Sequence, residues 1–285
     1  METQNAENCA KMVESSQSLR QKVAVPKITY SSPRVLVMEF IHGVNISDKE
    51  GLIKIGCSPK SLAHLIALTF NEMIFRYGNV HADPHPANLL IRQHPHRKNT
   101  WQLVLLDHGL YRHLDDDFRL EYSKLWRSLI FADVKGIEES AQAMNAGHAV
   151  PLFAGMLTQR QWKEVTKWKA GSARLGKQRT ESDKKEIQEY VSNNAQEITM
   201  LLQHLPRQIL LLLKTNDNLR ALDSQLNAGY NSFIVTAREC TRAISEARQR
   251  ENPGWKSFLS TIWARLQLES RLFVMQSVAA ASNMT

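Results

Sequence analysis

The chain lacks most of the features that would assign it quickly. Its cysteines are few and scattered: Cys9, Cys57 and Cys240 form neither a CxxC pair nor a Cys/His cluster. This argues against a disulfide framework or a zinc site and favours a reducing compartment. No apolar run is long. The longest unbroken aliphatic stretch, Ile209 to Leu213, is far short of the roughly 20 residues that span a bilayer. The N-terminal residues contain no apolar segment and include Glu2, Glu7 and Glu14, unlike a secretory signal or an acid-poor transit peptide, so no targeting segment is visible. Internal repeats and low-complexity tracts are also lacking, which excludes solenoid and fibrous classes.

What is present fits a folded protein. Of 285 residues, 43% are apolar, ample for a buried core. The formal net charge of +8 favours anionic partners such as nucleotides, acidic lipid headgroups or nucleic acid, without choosing among them.

Residues 2 to 20 are polar and free of Gly and Pro, predicting a short, mostly exposed helix that ends before Pro26. Ile28 to Tyr30 and Val35 to Ile41, separated by Ser31-Ser32-Pro33, predict a β-hairpin closed by Gly43. Ser58-Pro59 supplies an N-cap and a proline at the first helical position. Leu62, Leu65, Ile66, Phe70, Met73, Ile74 and Tyr77 follow at helical spacing, predicting a helix buried along one face. After Gly78 comes a proline-rich loop, His81 to Asn88, then apolar strands at Leu89 to Ile91 and Leu103 to Leu106. From the capping residues Asp115 to Asp117 onward the pattern is helical. Helices are expected near 133 to 146, 158 to 169, 183 to 204, 207 to 226, 229 to 250 and 255 to 276, with the basic interval Lys167 to Lys185 as a loop.

The chemistry concentrates in three polar residues. In the loop His81-Ala-Asp83-Pro-His85-Pro-Ala-Asn88, an Asp stands five residues before an Asn, and Asp107-x-Gly109 follows beyond a hairpin. Phosphoryl transfer needs a carboxylate near the attacking hydroxyl, and a carboxylate with an amide oxygen to hold magnesium against the phosphates. Pro84 and Pro86 stiffen the loop. Upstream, Arg34 to Gly43 runs from a strand into a linker, where a kinase presents backbone groups to adenine.

Together VLVMEFIHG, HADPHPANLL and LLDHGLY resemble the UbiB family, also called the ADCK or aarF-domain atypical kinases, over residues 1 to about 150. The resemblance implies a mainly α fold with a few short β-hairpins, a protein-kinase-like C-terminal lobe. It implies that Asp83 is the catalytic-loop Asp, that Asn88 and Asp107 are magnesium ligands, and that Glu39, Phe40 and Ile41 belong to the hinge that meets the nucleotide. ATP and Mg are the implied cofactors. Ala87 stands where the family usually has glycine, and His108 replaces the phenylalanine of the general kinase motif; neither removes a metal ligand. The family's KxGQ motif, alanine-rich nucleotide loop and phosphate-pairing lysine have no counterpart here. The chain therefore reads as N-terminally truncated, with residues 1–43 a remnant of an N-lobe and residues 44–285 a helical C-lobe with a C-terminal helical extension. Only Leu110 to Leu114 separate Asp107-x-Gly109 from the next helix, and no Ala-Pro-Glu follows, so a peptide-docking segment is missing. A lipid or quinone-precursor acceptor, or ATP hydrolysis alone, is the expected chemistry. The resemblance places such proteins in mitochondria or plastids.

Plainer readings stand beside these. Asp83, Asn88 and Asp107 could be turn caps, although three correct spacings in three matching contexts weigh against it. His81, His85, His94 and His96 suggest zinc less than a structural role for His81 on the loop backbone. The basic residues Lys163 to Lys185 are expected to form a solvated face, and no nucleic-acid partner is expected. Trp255, Phe258, Leu259, Ile262, Trp263 and Leu266 form an apolar stripe that reads as core ahead of peripheral membrane contact. The competing functional class is a catalytically inactive pseudokinase fragment serving as an interaction module.

Overall fold

In the computed structural model, residues 1–160, 162–166, 194–228 and 231–281 are described. The chain divides into two units: Met1–His113 with Lys214–Tyr230, and Leu114–Leu213 with Asn231–Thr285.

The first unit begins with helix α1 (Glu2–Ser15). It is not mostly exposed, because Ala6, Cys9, Met12 and Val13 fall on one face and are buried. Strand β1 (Val23–Ala24) follows, then the hairpin β2 (Ile28–Ser31) and β3 (Leu36–Met38). The expected second strand stops short of Ile41. Strand β4 (Val44–Asn45) leads into α2 (Lys49–Ile55) and α3 (Pro59–Asn71). Ser58 caps α3 by accepting from the Ser61 N–H at 3.2 Å, with Pro59 in the first turn. The helix loosens into a π-turn, Glu72–Tyr77, which Gly78 ends in the left-handed conformation, φ 66°.

Strand β5 (Asn79–His81), the 3₁₀ turn Pro86–Asn88, and strands β6 (Leu89–Gln93), β7 (Trp101–Leu105) and β8 (Tyr111–His113) complete the framework. Four strands form a sheet in the order β1-β7-β6-β4. Here β1 runs parallel to β7, while β6 is antiparallel to both neighbours. Strands β5 and β8 pair separately. Leu62, Ile66, Phe70 and Met73 pack against Leu89, Ile91, Leu103 and Leu105, and α1 closes the cluster through Cys9, Met12 and Val13. Each buried aliphatic side chain contributes about 1.5–3 kcal/mol, so the hairpin that carries the polar triad is anchored from beneath.

The second unit is helical among its described residues. Helix α4 (Asp116–Phe131) is capped by Asp115, which accepts from the Phe118 N–H at 2.9 Å, and buries Tyr122, Leu125, Trp126 and Leu129. Helices α5 (Val134–Ala143), α6 (Val150–Thr158) and α7 (Trp162–Thr166) follow. The helix expected at 158 to 169 is replaced by α6 and α7, because Gln159 takes a left-handed conformation at φ 52° and ends α6. The basic interval 167 to 185 lies outside the described residues, as does the first half of the helix expected at 183 to 204; the second half contains α8 (Ala195–His204). Helix α9 (Arg207–Leu226) contributes residues to both units. Helices α10 (Ser232–Glu251) and α11 (Trp255–Ala281) pack on each other, and α10 packs on α4, with the Phe233 ring 5.8 Å from that of Trp126. The stripe beginning at Trp255 is not core: Trp255 is 70% exposed and Trp263 64%.

Candidate active site

Two strand pairings bring the three predicted polar residues to one place. In the β5–β8 pair His81 stands opposite Tyr111, and the Ala82 N–H donates to the Leu110 carbonyl at 3.0 Å. That sets Asp83 on one side of the Asp107–Gly109 turn. In the β6–β7 pair Leu89 stands opposite Leu105, and the Leu106 N–H donates to the Asn88 carbonyl at 3.0 Å. That sets Asn88 on the other side.

The loop is held by its own polar groups. Asn88 Nδ2 donates to the Asp83 carbonyl at 3.3 Å, leaving the carboxamide oxygen as its acceptor. The His85 carbonyl takes the Asn88 N–H at 2.9 Å, and the buried His81 ring accepts the Asp83 N–H on Nδ1 at 3.2 Å. His81 therefore has the structural role expected of it. Burial, helped by the neighbouring His108, pushes its pKa down to about 4 in spite of the charges of Asp107 and Asp83, which pull it up. Both carboxylates thus act on one imidazole. Asp83 and Asn88 are half-buried and Asp107 is exposed, a placement that keeps all three open to a ligand.

The Asp107 turn is tied from several directions. Asp107 Oδ1 accepts from the Gly109 N–H at 2.8 Å, and a Cβ at position 109 would stand 3.1 Å from that oxygen. His108 is buried. Its Nε2 lies 3.1 Å from the Leu105 carbonyl, which only accepts, so the proton sits on Nε2 and Nδ1 accepts from the Tyr111 hydroxyl at 2.9 Å. Burial lowers the His108 pKa, against the Leu105 hydrogen bond and the Asp107 charge, which raise it. The Tyr111 hydroxyl also meets the Cys9 thiol on α1; burial pushes that thiol up to about 11. Asn5, also on α1, donates from Nδ2 to the His108 carbonyl at 2.9 Å.

Several of these contributors carry no mark in the sequence. Asn5 lies 103 residues from its partner, and Asn45, whose Nδ2 donates to the Pro86 carbonyl at 3.0 Å, braces the loop from β4. Neither spacing nor residue type announces such pairs. The predicted hinge residues occupy a segment without regular structure between β3 and β4. Glu39 is fastened there by its N–H to the Lys27 carbonyl (2.8 Å) and by its carboxylate to Arg92 (3.1 Å). Phe40 is 82% exposed and Ile41 is buried. At Gly43 a Cβ would stand 3.0 Å from the Ile91 carbonyl oxygen, a tight approach that β6 would have to yield to by a few tenths of an ångström.

The donor set suits a hard cation: two carboxylates and one carboxamide oxygen, all oxygen, at one turn and one loop. Bound there, magnesium would supply charge neutralisation for phosphate oxygens. Among the described residues no group of three or more His, Cys, Asp or Glu forms a metal site, and the oxygen set here differs in including an amide.

Comparison with known proteins gives the family. Residues 1–141 match the ABC1 atypical kinase-like domain. An ABC1 protein of Arabidopsis thaliana is 38% identical over 97% of this chain and 53% of its own length. The AarF domain-containing protein kinase 1 of Mus musculus is 39% identical over 88% of this chain and 46% of its own. The chain thus spans about half the length of these relatives. Among solved structures, Rv3197 of Mycobacterium tuberculosis, determined as a complex with erythromycin, superposes with a TM-score of 0.50 at 16% identity, covering 82% of this chain and 55% of that one. That likeness speaks for the fold alone. With its catalytic-type loop, its Asp-x-Gly turn and these relatives, the chain belongs to the ABC1 (AarF-domain) family of atypical kinase-like proteins.

Proposed function

We propose that the chain carries the metal-binding half of a Mg-ATP-dependent phosphotransferase or ATPase. The observation that supports this reading is the pairing of β5 with β8 and β6 with β7, which runs the loop of Asp83 and Asn88 beside the Asp107–Gly109 segment. In this reading Asn88 and Asp107 hold the ion. Asp83 accepts the proton of the attacking hydroxyl or water, or orients it. Glu39 to Ile41 form the nucleotide hinge. Residues 1–43 are the end of an N-lobe and residues 44–285 the C-lobe with its extension. The lysine that pairs with the phosphates is assigned to the portion of the relatives beyond this span. The acceptor is a small lipid or quinone precursor in a mitochondrion or plastid, a reading supported by the short segment between Gly109 and α4 and by the family.

The test is calorimetric titration of Mg-ATP into the chain and into Asp107→Asn. We expect binding in the parent and none in the variant, with unchanged circular dichroism. Equal affinity in both refutes the metal assignment.

A second reading, a non-catalytic interaction module, is favoured by the exposed Tyr30, Val37 and Met38 on the β2–β3 hairpin, with Phe40 just beyond it. ATP turnover by this chain alone would eliminate it. Turnover only after extension by the relatives' additional residues would favour it for this chain while leaving the family chemistry intact.

A further inference from the structure

Helix α11 presents its polar side inward and its apolar side outward. On the side facing α10, Ser257 and Thr261 are buried with Leu268 and Leu272. Gln249 Nε2 donates to Thr261 Oγ1 (3.2 Å), Arg248 Nη1 donates to Ser260 Oγ (2.6 Å), and Arg238 grips both carboxylate oxygens of Glu269 at 2.8 Å. The opposite side carries Trp255, Phe258, Leu259, Ile262, Trp263 and Leu266, at i, i+3, i+4, i+7, i+8 and i+11. These six range from 40% to 70% exposed, and Phe273 continues the line at 70%.

A helix that buries hydroxyls and shows tryptophans to solvent is the reverse of the usual amphipathic arrangement, and a continuous exposed apolar stripe marks a contact surface. Its charges select the contact. Between Trp255 and Leu266 the charged residues are Lys256 and Arg265, both exposed and both basic. On a helical projection they stand on opposite borders of the stripe. The Lys256 ammonium lies 5.8 Å from the centre of the Trp255 ring. Glu269 falls on the same side of the helix, one turn beyond Leu266 and ahead of Phe273, and its charge is held by Arg238. Two tryptophans on one face, with basic residues along both edges, match the layering of a bilayer surface: apolar acyl chains within, phosphates at the rim, indoles between. A second copy of the helix would set basic border against basic border, a poor match.

We propose that this face of α11 lies in the headgroup region of an anionic lipid bilayer, with Lys256 and Arg265 on lipid phosphates. Among the described residues no helix is long and apolar enough to cross a membrane, so the contact is peripheral.

The experiment is vesicle flotation of the full 285-residue chain with phosphatidylcholine alone and with phosphatidylcholine mixed with phosphatidylglycerol. The variants are the triple substitution Trp255→Ser, Phe258→Ser, Trp263→Ser and the double substitution Lys256→Glu, Arg265→Glu. All five side chains are exposed, so melting curves should match the parent. The expected result is flotation with the anionic vesicles, weakened by salt, and a partition coefficient reduced more than about tenfold in the triple variant. The double variant should lose the preference for phosphatidylglycerol. Lipids brominated on the acyl chain should quench tryptophan fluorescence in the parent and much less in the triple variant. Equal flotation of parent and triple variant overturns the proposal, as does absence of flotation. A parent that light scattering shows as a dimer, dissolved by the triple substitution, overturns it in favour of a second copy.

Discussion

Replacing Asp223 by asparagine should stabilise the first unit at neutral pH. Asp223 sits on α9 between Leu222 and Leu226, both buried in the core, and its own Oδ1 is buried without a hydrogen-bond partner. Burial raises its pKa from 3.8 to about 6. The native state therefore holds this proton more tightly than the unfolded chain. The stabilisation linked to protonation is complete below the unfolded value near 4 and is lost as pH rises through about 6. Above that, a charged carboxylate is kept in a poor environment. Two pH units correspond to about 3 kcal/mol at 1.36 kcal/mol each, but the side chain is partly exposed and water screens it, so about 1 kcal/mol is the working figure. Asparagine keeps the shape and removes the charge. Urea unfolding should show Asp223→Asn more stable than the parent by about 1 kcal/mol at pH 7.5 and indistinguishable at pH 4. A loss of stability at pH 7.5 would mean that the carboxylate is held by a favourable partner, refuting the argument.

Two further substitutions probe the frame of the site. Ser16 Oγ donates to the buried Glu72 carboxylate at 2.7 Å and accepts from the Leu19 N–H at 3.2 Å. Ser16→Ala should cost about 1.5–3 kcal/mol in urea denaturation, the range for a hydrogen bond to a charged group, and a change below about 0.5 kcal/mol would show the contact to be idle. Gly109→Ala places a methyl 3.1 Å from Asp107 Oδ1. If Asp107 holds the ion as proposed, the substitution should weaken Mg-nucleotide binding by about tenfold through a displacement of a few tenths of an ångström, with the melting temperature moved by less than about 2 °C; unchanged affinity would separate the glycine from the role proposed for Asp107.

Much of the chain up to α4 was legible because its signals are local. Ser58-Pro59 and Asp115 announce helix starts that the structure contains, and Leu89 to Ile91 and Leu103 to Leu106 announce the paired strands. The spacing of Asp83, Asn88 and Asp107 pointed to their convergence because loop and hairpin lie close in sequence. Strands β1 and β4 are two residues each, too short for a period to register, and exist because β7 and β6 offer them edges. The buried face of α1 was obscured by its polar composition, since small residues such as Ala6 and Cys9 suffice to pack there. The stripe on α11 was visible as a period, but a period tells which residues share a side and nothing of whether that side meets protein or solvent. Direction is decided by α10, whose polar side chains engage the other face.

Helix α1 is fastened near both ends, through Asn5 to the His108 carbonyl and through Ser16, just past its last turn, to Glu72. Turning it about its axis by one residue would carry Asn5 off His108 and strain the Ser16 tether in the same motion. The helix therefore works as a crossbar between the Asp107–Gly109 turn and the π-turn that precedes the Asp83 loop: neither can be retuned without the other registering it.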